Sequence, residues 1–532
     1  MVSDVRTWDT CTPQRRVLVV ARTPAAVSRL ADVTPLLLED PRLEVTFVVD
    51  RGSAFSGAVD GRLTKAGALL LNWETAIRTR FDLALAASDN GDLGRILAPL
   101  VLLAHGAGYH RHSAAEPGAI SGIRGSTLVE SGRAVPHTVT LAHPDQLETV
   151  KAVHSELALR ARVIGDPCLD RIIASLPLRR RYRRAFGASG TTVVTICSTW
   201  GPRSLFGRLR NLPETMVTAL PSDAYRVVLV LHPNVWQRHG ELQIRAWLRR
   251  ATDAGLIVVP PEEGWRAALV AADLVVSDHG SLTCYATALN TPVLIAADGG
   301  AEVVDDSPLA ELLALLPRLN PGAPLRAQLE ETIARGAVGG DFPGRMFANQ
   351  GRAAAILRTL MYDILELPES PGTASVRPLP SPAAAIIEPL AFDVAVKHLD
   401  RTGLTLERYP CGPATPPGFD HVAASEIAPD PGLIERAAVI WSADPHDDLP
   451  SALRWTTETL TRYPGARVAV TETADAVIAQ LRSGETVTCH GGLSRAAAGS
   501  AIHRWSLTTR AARPGTVRVN IGATSATLTI TT

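Results

Sequence analysis

Short, largely apolar runs, each followed by a segment with helical spacing, recur along the first two-thirds of the chain. Residues 17–21, 43–49, 83–87 and 100–104 form a first series. A strand with one wet face alternates polar and apolar side chains. These runs are apolar at successive positions, as strands buried on both faces are. Residues 23–38, between the first two, have helical spacing and open on a Thr placed to cap a helix. Strand–helix–strand order repeated in this way specifies a doubly wound parallel sheet.

A second series follows a linker around residues 179–190. Its strands are expected at 191–197, 226–231, 256–259, 273–277 and 292–297. Helical segments fall near 213–219, 241–254, 264–271 and 281–289, and 345–367 reads as a long helix able to pack back across the junction. The expectation is an α/β chain with two Rossmann-like lobes, 15–175 and 190–367, facing a cleft where strand C-terminal ends gather ligands. Pro368, Pro371, Pro378, Pro380 and Pro382 then mark a linker. Residues 386–532 read as a small accessory α/β module, with strands at 437–442 and 466–471, a helix at 452–461 and a terminal β-pair at 517–521 and 526–530. At about 150 residues per domain, 532 residues accommodate three such units.

Composition excludes several classes. Lys plus Arg and Asp plus Glu are each 53, so the net charge is zero and bulk attraction to nucleic acid is not expected. The apolar stretches at 96–104 and 227–231 fall well short of the ~20 residues of a membrane span. The first twenty residues carry Asp4, Asp9, Arg15 and Arg16 and lack a signal-peptide pattern. Six cysteines without a C-x-x-C pair read as small buried side chains of a reducing compartment, so a cytoplasmic protein is expected. The run Arg179-Arg180-Arg181-Tyr182-Arg183-Arg184 is a solvated helix face or a contact with anionic lipid at the inner membrane face, worth roughly 1 kcal/mol per charge.

Chemistry concentrates at strand ends. His105-Gly106-Ala107-Gly108 follows an apolar strand; glycines there let a backbone approach a ligand, and a neutral His105 can accept a hydroxyl proton. The alternative is a turn histidine. His110 and His112 share no helix face with His105, so no metal site is expected. His232-Pro233-Asn234 ends another apolar strand, toward the same cleft. In Ser277-Asp278-His279-Gly280-Ser281-Leu282-Thr283 a strand runs into a helix whose first amides suit a phosphate, with Ser281 and Thr283 as further donors; an ordinary N-cap is the alternative. Ser198-Thr199-Trp200-Gly201-Pro202-Arg203 can line the cleft floor, with Arg203 available to a diphosphate. Gly165-Asp166-Pro167-Cys168-Leu169-Asp170 closes the first lobe. Neither a G-x-S-x-G nor a nucleotide-binding glycine loop is present.

Taken in order, these segments resemble those of the CDP-glycerol glycerophosphotransferase family, the teichoic-acid polymerases and primases of GT-B fold. The family's His-Gly-Thr, Gly-x-Pro-x-x-Asp, Thr-Trp-Arg, His-Pro and Asp-Tyr-Ser-Ser segments have counterparts at His105-Gly106, Gly165–Asp170, Ser198-Thr199-Trp200, His232-Pro233-Asn234 and Ser277–Ser281. The resemblance spans residues 15 to 365. It implies an acceptor lobe followed by a nucleotide-donor lobe, with His105 as the base on an acceptor hydroxyl. His232, Ser281 and the amides at 280–282 would hold a donor diphosphate, alongside Gly106, Thr199, Trp200, Arg203, Asn234, Asp278, Gly280 and Thr283. It implies no cofactor and no metal. Departures are the family's lysine, which has no counterpart, and Ser277-Asp278-His279-Gly280, which is closer to the Ser-Asp-x-Gly segments of nucleotide-sugar enzymes and UDP-N-acetylglucosamine 2-epimerases. A UDP-sugar glycosyltransferase or epimerase, with Asp298 or Glu302 on a ribose, is therefore the second reading. A non-catalytic binding protein of the same fold is the third.

Overall fold

The computed structural model describes residues 12–52, 56–113, 116–338, 340, 342–398, 403–509 and 515–531; Asp4, Asp9 and Cys11 lie outside them. The first series forms a seven-stranded sheet in the spatial order Leu70–Leu71, Leu43–Val49, Arg15–Ala21, Leu83–Ala86, Leu100–Leu102, Thr138–Leu141, Ala161–Val163, with every pair parallel. The second forms a five-stranded parallel sheet ordered Ile257–Val258, Tyr225–Leu231, Thr192–Ser198, Leu274–Ser277, Val293–Ile295. In both, the chain winds outward from the central strand and then reverses. Each reversal opens a crevice at the strand C-termini, and in the second sheet it lies between Ser198 and Ser277. This is the GT-B arrangement.

Thr138–Leu141 and Ala161–Val163 are strands beyond those expected. In the former, Thr138 and Thr140 imitate a half-wet strand, yet both are buried, and the Thr140 hydroxyl donates to the Leu102 carbonyl at 3.2 Å. Two expected helices are divided. Pro35, which has no N–H to give, starts a new turn, so residues 23–38 become Pro24–Val33, capped by Thr23, and Pro35–Leu38. The expected helix at 345–367 becomes Phe342–Met346 and Ala353–Leu365, interrupted where Asn349 and Gly351 take φ of 52° and 76°.

That interruption has a function in the fold. The buried Asp170 carboxylate accepts from the amides of Gly351 (2.6 Å) and Ala354 (3.0 Å), fixing the start of Ala353–Leu365. The helix then packs Ala354, Leu357, Met361 and Leu365 into the core of the first lobe. Asp166, in the same segment, caps Pro167–Ala174 through the amides of Cys168 and Leu169, and its other oxygen accepts from the Tyr285 hydroxyl at 2.6 Å. The Gly165–Asp170 segment is thus a clamp built from two carboxylates.

A buried ion pair completes the junction. The Arg266 guanidinium, with no exposed surface, reaches Asp32 (2.7 Å), Glu263 (3.0 Å) and the Ser28 hydroxyl (3.0 Å), and its Nε donates to Cys168 Sγ. Arg171 holds the other oxygen of Asp32 at 3.1 Å.

The C-terminal α/β module is a closed nine-stranded barrel. Its strands run, around the ring, Ala391–His398, Gly403–Pro410, Gly515–Ile521, Thr524–Thr531, Thr486–His490, Val477–Leu481, Val468–Glu472, Val439–Trp441 and Phe419–Ser425. Helix Leu449–Arg462 opens on a capping box of Asp448 and Ser451. Helix Arg495–Thr509 fills the interior, with Ala497, Ala501 and Ile502 in one core with Val394, Val439 and Val519. The barrel meets the second lobe through Arg408–Asp223 (2.5 Å) and Arg326–Glu407 (3.0 Å). Asp223 precedes strand Tyr225–Leu231, so this contact lies at the sheet edge opposite the cleft. Residues 366–389 hold neither helix nor strand, but Leu379 is buried and its carbonyl accepts from the Tyr182 hydroxyl at 2.7 Å.

Removing Asp32 leaves the fully buried Arg266 with only the partly exposed Glu263 as counter-charge. Asp32→Ala is therefore expected to destabilise the two-lobe body by about 3–5 kcal/mol, read as a clear drop in thermal midpoint with the barrel's own transition unchanged.

Candidate functional site

An open cleft of about 930 Å³ separates the lobes, lined by loops at the strand C-termini of both sheets. This is within the range of small-molecule sites. His105, Gly106, Thr199, Trp200, His232, Asn234, Asp278, Gly280 and Ser281 all line it. Arg203 and Thr283 do not. Arg203 is exposed and leans on the Gly299 carbonyl at 3.4 Å. Thr283 is fully buried one turn into its helix; its Oγ1 lies 2.8 Å from Ser277 Oγ and bonds the Asp278 carbonyl. Its hydroxyl therefore holds the strand–helix turn and is not offered to a ligand.

Asp278 faces the cleft only nominally. Its buried carboxylate accepts from the amides of Thr199 (2.9 Å), Leu205 (2.8 Å) and Gly280 (3.0 Å) and lies 3.3 Å from Ser198 Oγ. Burial raises its pKa, opposed by His279 and by these amides. The residue ties loop 199–205 to the end of strand Leu274–Ser277.

Past it, helix Ser281–Ala288 begins without a side-chain cap. The Gly280 amide is consumed by Asp278, but those of Ser281 and Leu282 meet no acceptor among the described residues. Two such amides at the positive end of a helix dipole have the chemistry to receive an anion. The Ser281 hydroxyl accepts from the Ala107 amide of the opposite lobe at 3.2 Å. A Cβ on Gly106 would lie 2.5 Å from that oxygen, so glycine is required for the approach.

The two histidines take opposite tautomers. His105 Nδ1 lies 3.0 Å from the Ala87 carbonyl. A carbonyl only accepts, so Nδ1 carries the proton and Nε2 keeps a lone pair. His232 Nδ1 accepts from the Asn234 amide at 3.1 Å, so its proton is on Nε2. Burial lowers both pKa values below 6.5; that of His232 is pushed down to about 3, with His105 and Arg111 adding to the effect. The cleft therefore presents one neutral imidazole acceptor and one neutral imidazole donor. Trp200, 37 % exposed, stands at the mouth with its ring centroid 6.4 Å from that of His232.

A second set of residues was not foreseen as a unit. Arg111 reaches across the cleft to the Thr199 hydroxyl (2.8 Å) and Glu302 (2.7 Å). The His112 amide donates to the Glu302 carbonyl and the Val304 amide to the His110 carbonyl, a short antiparallel bridge between lobes. Glu302 also takes His279 Nε2 at 2.9 Å. Gly299, at φ +76°, lies over that ring, where a Cβ would come within 2.3 Å. The Arg111 and His279 bonds both fall on Glu302 Oε2, and the residue lines the cleft; Asp298 pairs with Arg318 at 2.6 Å and is not among the lining residues. The only sequence signal for Arg111 was its closeness to His105.

The arginine run forms helix Arg179–Ala185. Arg179 and Arg183 share Asp273 at 2.6 and 2.7 Å, and Arg181 donates to Ser381, leaving Arg180 and Arg184 turned outward. Among the described residues no helix is long and apolar enough to cross a membrane.

No protein-family model and no curated protein matches this sequence. Among solved structures the chain is similar to a UDP-GlcNAc 2-epimerase from Neisseria meningitidis bound to UDP-GlcNAc, at 14 % identity and TM-score 0.42, over 66 % of this chain and 99 % of that one. It is similar to the wall teichoic acid polymerase TagF at 12 % identity and TM-score 0.43, over 67 % and 90 %. A third is S. aureus MnaA with UDP, at 12 % and 0.42, over 68 % and 100 %.

Because the fold keeps His232 neutral down to about pH 3, the unfolded chain binds more protons below pH 6.5, and stability falls as pH drops through that window. His232→Asn keeps an N-cap acceptor without the titration. Its thermal midpoint is expected to decline less steeply than the parent's between pH 6.5 and 4, and a parallel decline would count against the buried neutral imidazole.

Proposed function

We propose that the cleft is the active site of a transferase that takes a nucleotide-diphospho donor and passes a glycerophosphate-like alditol phosphate from a CDP-activated donor to an acceptor hydroxyl. The observation that carries this reading is the uncapped start of helix Ser281–Ala288 against the His105 turn. An anion site and a neutral proton acceptor face each other across one cavity. The motif resemblance supplies the donor class.

In this reading the acceptor hydroxyl gives its proton to His105 Nε2 as its oxygen attacks phosphorus. The bond from phosphorus to the bridging oxygen breaks, and CMP leaves. The Ser281 and Leu282 amides and the His232 Nε2–H donate to the phosphate oxygens that gain charge. The cleft aligns the two substrates, and no covalent enzyme intermediate or bound cofactor is required. The Ser-Asp-x-Gly pattern at 277–280 favours a second reading, a UDP-sugar enzyme, for which Glu302, on the cleft wall with its bonds to Arg111 and His279 both on Oε2, is the ribose partner at hand. Neither reading requires a lipid contact.

A thermal-shift panel of CMP, CDP-glycerol, UDP, UDP-N-acetylglucosamine, GDP and NAD separates them. A ligand at about 100 times its dissociation constant stabilises by ~2.7 kcal/mol. A shift confined to cytidine nucleotides is expected, reduced in Ser281→Ala, which keeps both amides but loses the hydroxyl that bridges to the Ala107 amide. A uridine-selective shift selects the second reading, and no shift leaves a non-catalytic binding protein.

With a competent donor and acceptor, His105→Ala is expected to lower kcat by roughly 10²–10⁴-fold. Since burial lowers the His105 pKa, the neutral base persists above its pKa and the parent's rate should fall only on the acid side of pH 6.5. An unchanged rate in the variant would remove His105 as the base.

A further inference from the structure

The barrel has a polar cluster that shares nothing with the cleft. Asp420 and His421 lie at the start of strand Phe419–Ser425. Ser500, His503 and Arg504 stand at i, i+3 and i+4 on the interior helix, hence on one face. One ligand-type atom from each of Asp420, His421 and His503 lies within 4.8 Å of the other two. His421 and His503 are 4 % and 7 % exposed, and their rings meet edge-on with centroids 4.8 Å apart. His421 Nδ1 is 2.8 Å from Asp420 Oδ2, its Nε2 is 3.0 Å from Ser500 Oγ, and Arg504 holds Asp420 Oδ1 at 3.2 Å. His503 Nδ1 is buried and has no hydrogen-bond partner among the described residues.

The order Ser500–His421–Asp420 has the connectivity of a nucleophilic triad, but Ser500 is fully buried on a helix inside the barrel, where no substrate reaches it. The unpartnered ring nitrogen points elsewhere. We propose that Asp420, His421 and His503 bind one divalent transition-metal ion of the zinc type, tying the interior helix to the barrel wall. Two imidazole nitrogens and one carboxylate oxygen form a donor set that suits zinc, with a fourth position for water. Ser500 supplies the outer support: its hydroxyl can accept from His421 Nε2–H, which frees the Nδ1 lone pair for the ion. Asp420 is partly exposed and gives the ion a way in.

The test uses the full chain, stripped with chelator, dialysed against Zn²⁺ and then against metal-free buffer. One zinc per chain is expected, with a thermal midpoint several degrees above the stripped protein and, on Co²⁺ loading, the visible absorption of a four-coordinate site. His503→Gln and Asp420→Asn should each lose the ion, the absorption and the shift, while their metal-free midpoints stay near the parent's. Failure of the unmodified chain to retain zinc or to show the cobalt bands overturns the proposal even where a variant does not fold. So does undiminished binding in a folded His421→Gln/His503→Gln double variant, which would place the ion on other histidines.

Discussion

Two open sheets produce a site only if their strand ends are held face to face, and here that depends on a charge with no exposed surface. Arg266, from the second lobe, lies among Asp32, Ser28 and Cys168 of the first. Removing a guanidinium from water is so unfavourable that pairing recovers little net stability. The contribution of the pair is orientation: any rigid-body shift of one lobe strands a charge in a dry junction. Tyr285 adds to the constraint, giving its hydroxyl proton to Asp166 while accepting from Arg29 at 2.5 Å. Asp170 then fixes the helix that returns to the first lobe.

With the lobes so fixed, the chemistry of the cleft follows from where hydrogen bonds are already used. Asp278, Thr199, Glu302 and Thr283 are polar and close to the cavity, but their hydrogen bonds go to the protein. The groups left to a ligand include the Ser281 and Leu282 amides, His105 Nε2, His232 Nε2–H and the Asn234 Oδ1, which is buried without a partner among the described residues. In the proposed reaction these groups would meet a diphosphate through dipoles and leave the proton acceptor unpaired. Arg111, with its charge set against Glu302, holds the cleft together more than it holds a ligand.

The parallel strands were legible because burial on both faces removes alternation, and the strand-end motifs because topology sends them all to one edge. Helix breaks were less so. Pro35 was visible, but the turn at 349–351 depends on a carboxylate nearly two hundred residues earlier. Thr283 shows the limit for site residues: whether a hydroxyl in the first helical turn faces out or in is decided by Ser277 beneath it. The barrel was the hardest to read. Helix Arg495–Thr509 lacks an amphipathic stripe because strands surround it, and a helix apolar on most sides resembles no surface helix.

The barrel's position also bears on what it does. Every residue lining the cleft precedes residue 310, while the barrel grips Asp223 and Arg326 at the far edge of the second sheet. It contributes no side chain to the proposed chemistry and no wall to the cavity. The two ends of that sheet's strands are therefore divided, with the cleft at the C-terminal ends and attachment of a self-contained unit at the N-terminal ends. The barrel has its own core and its own polar cluster, apart from His105, His232 and Ser281.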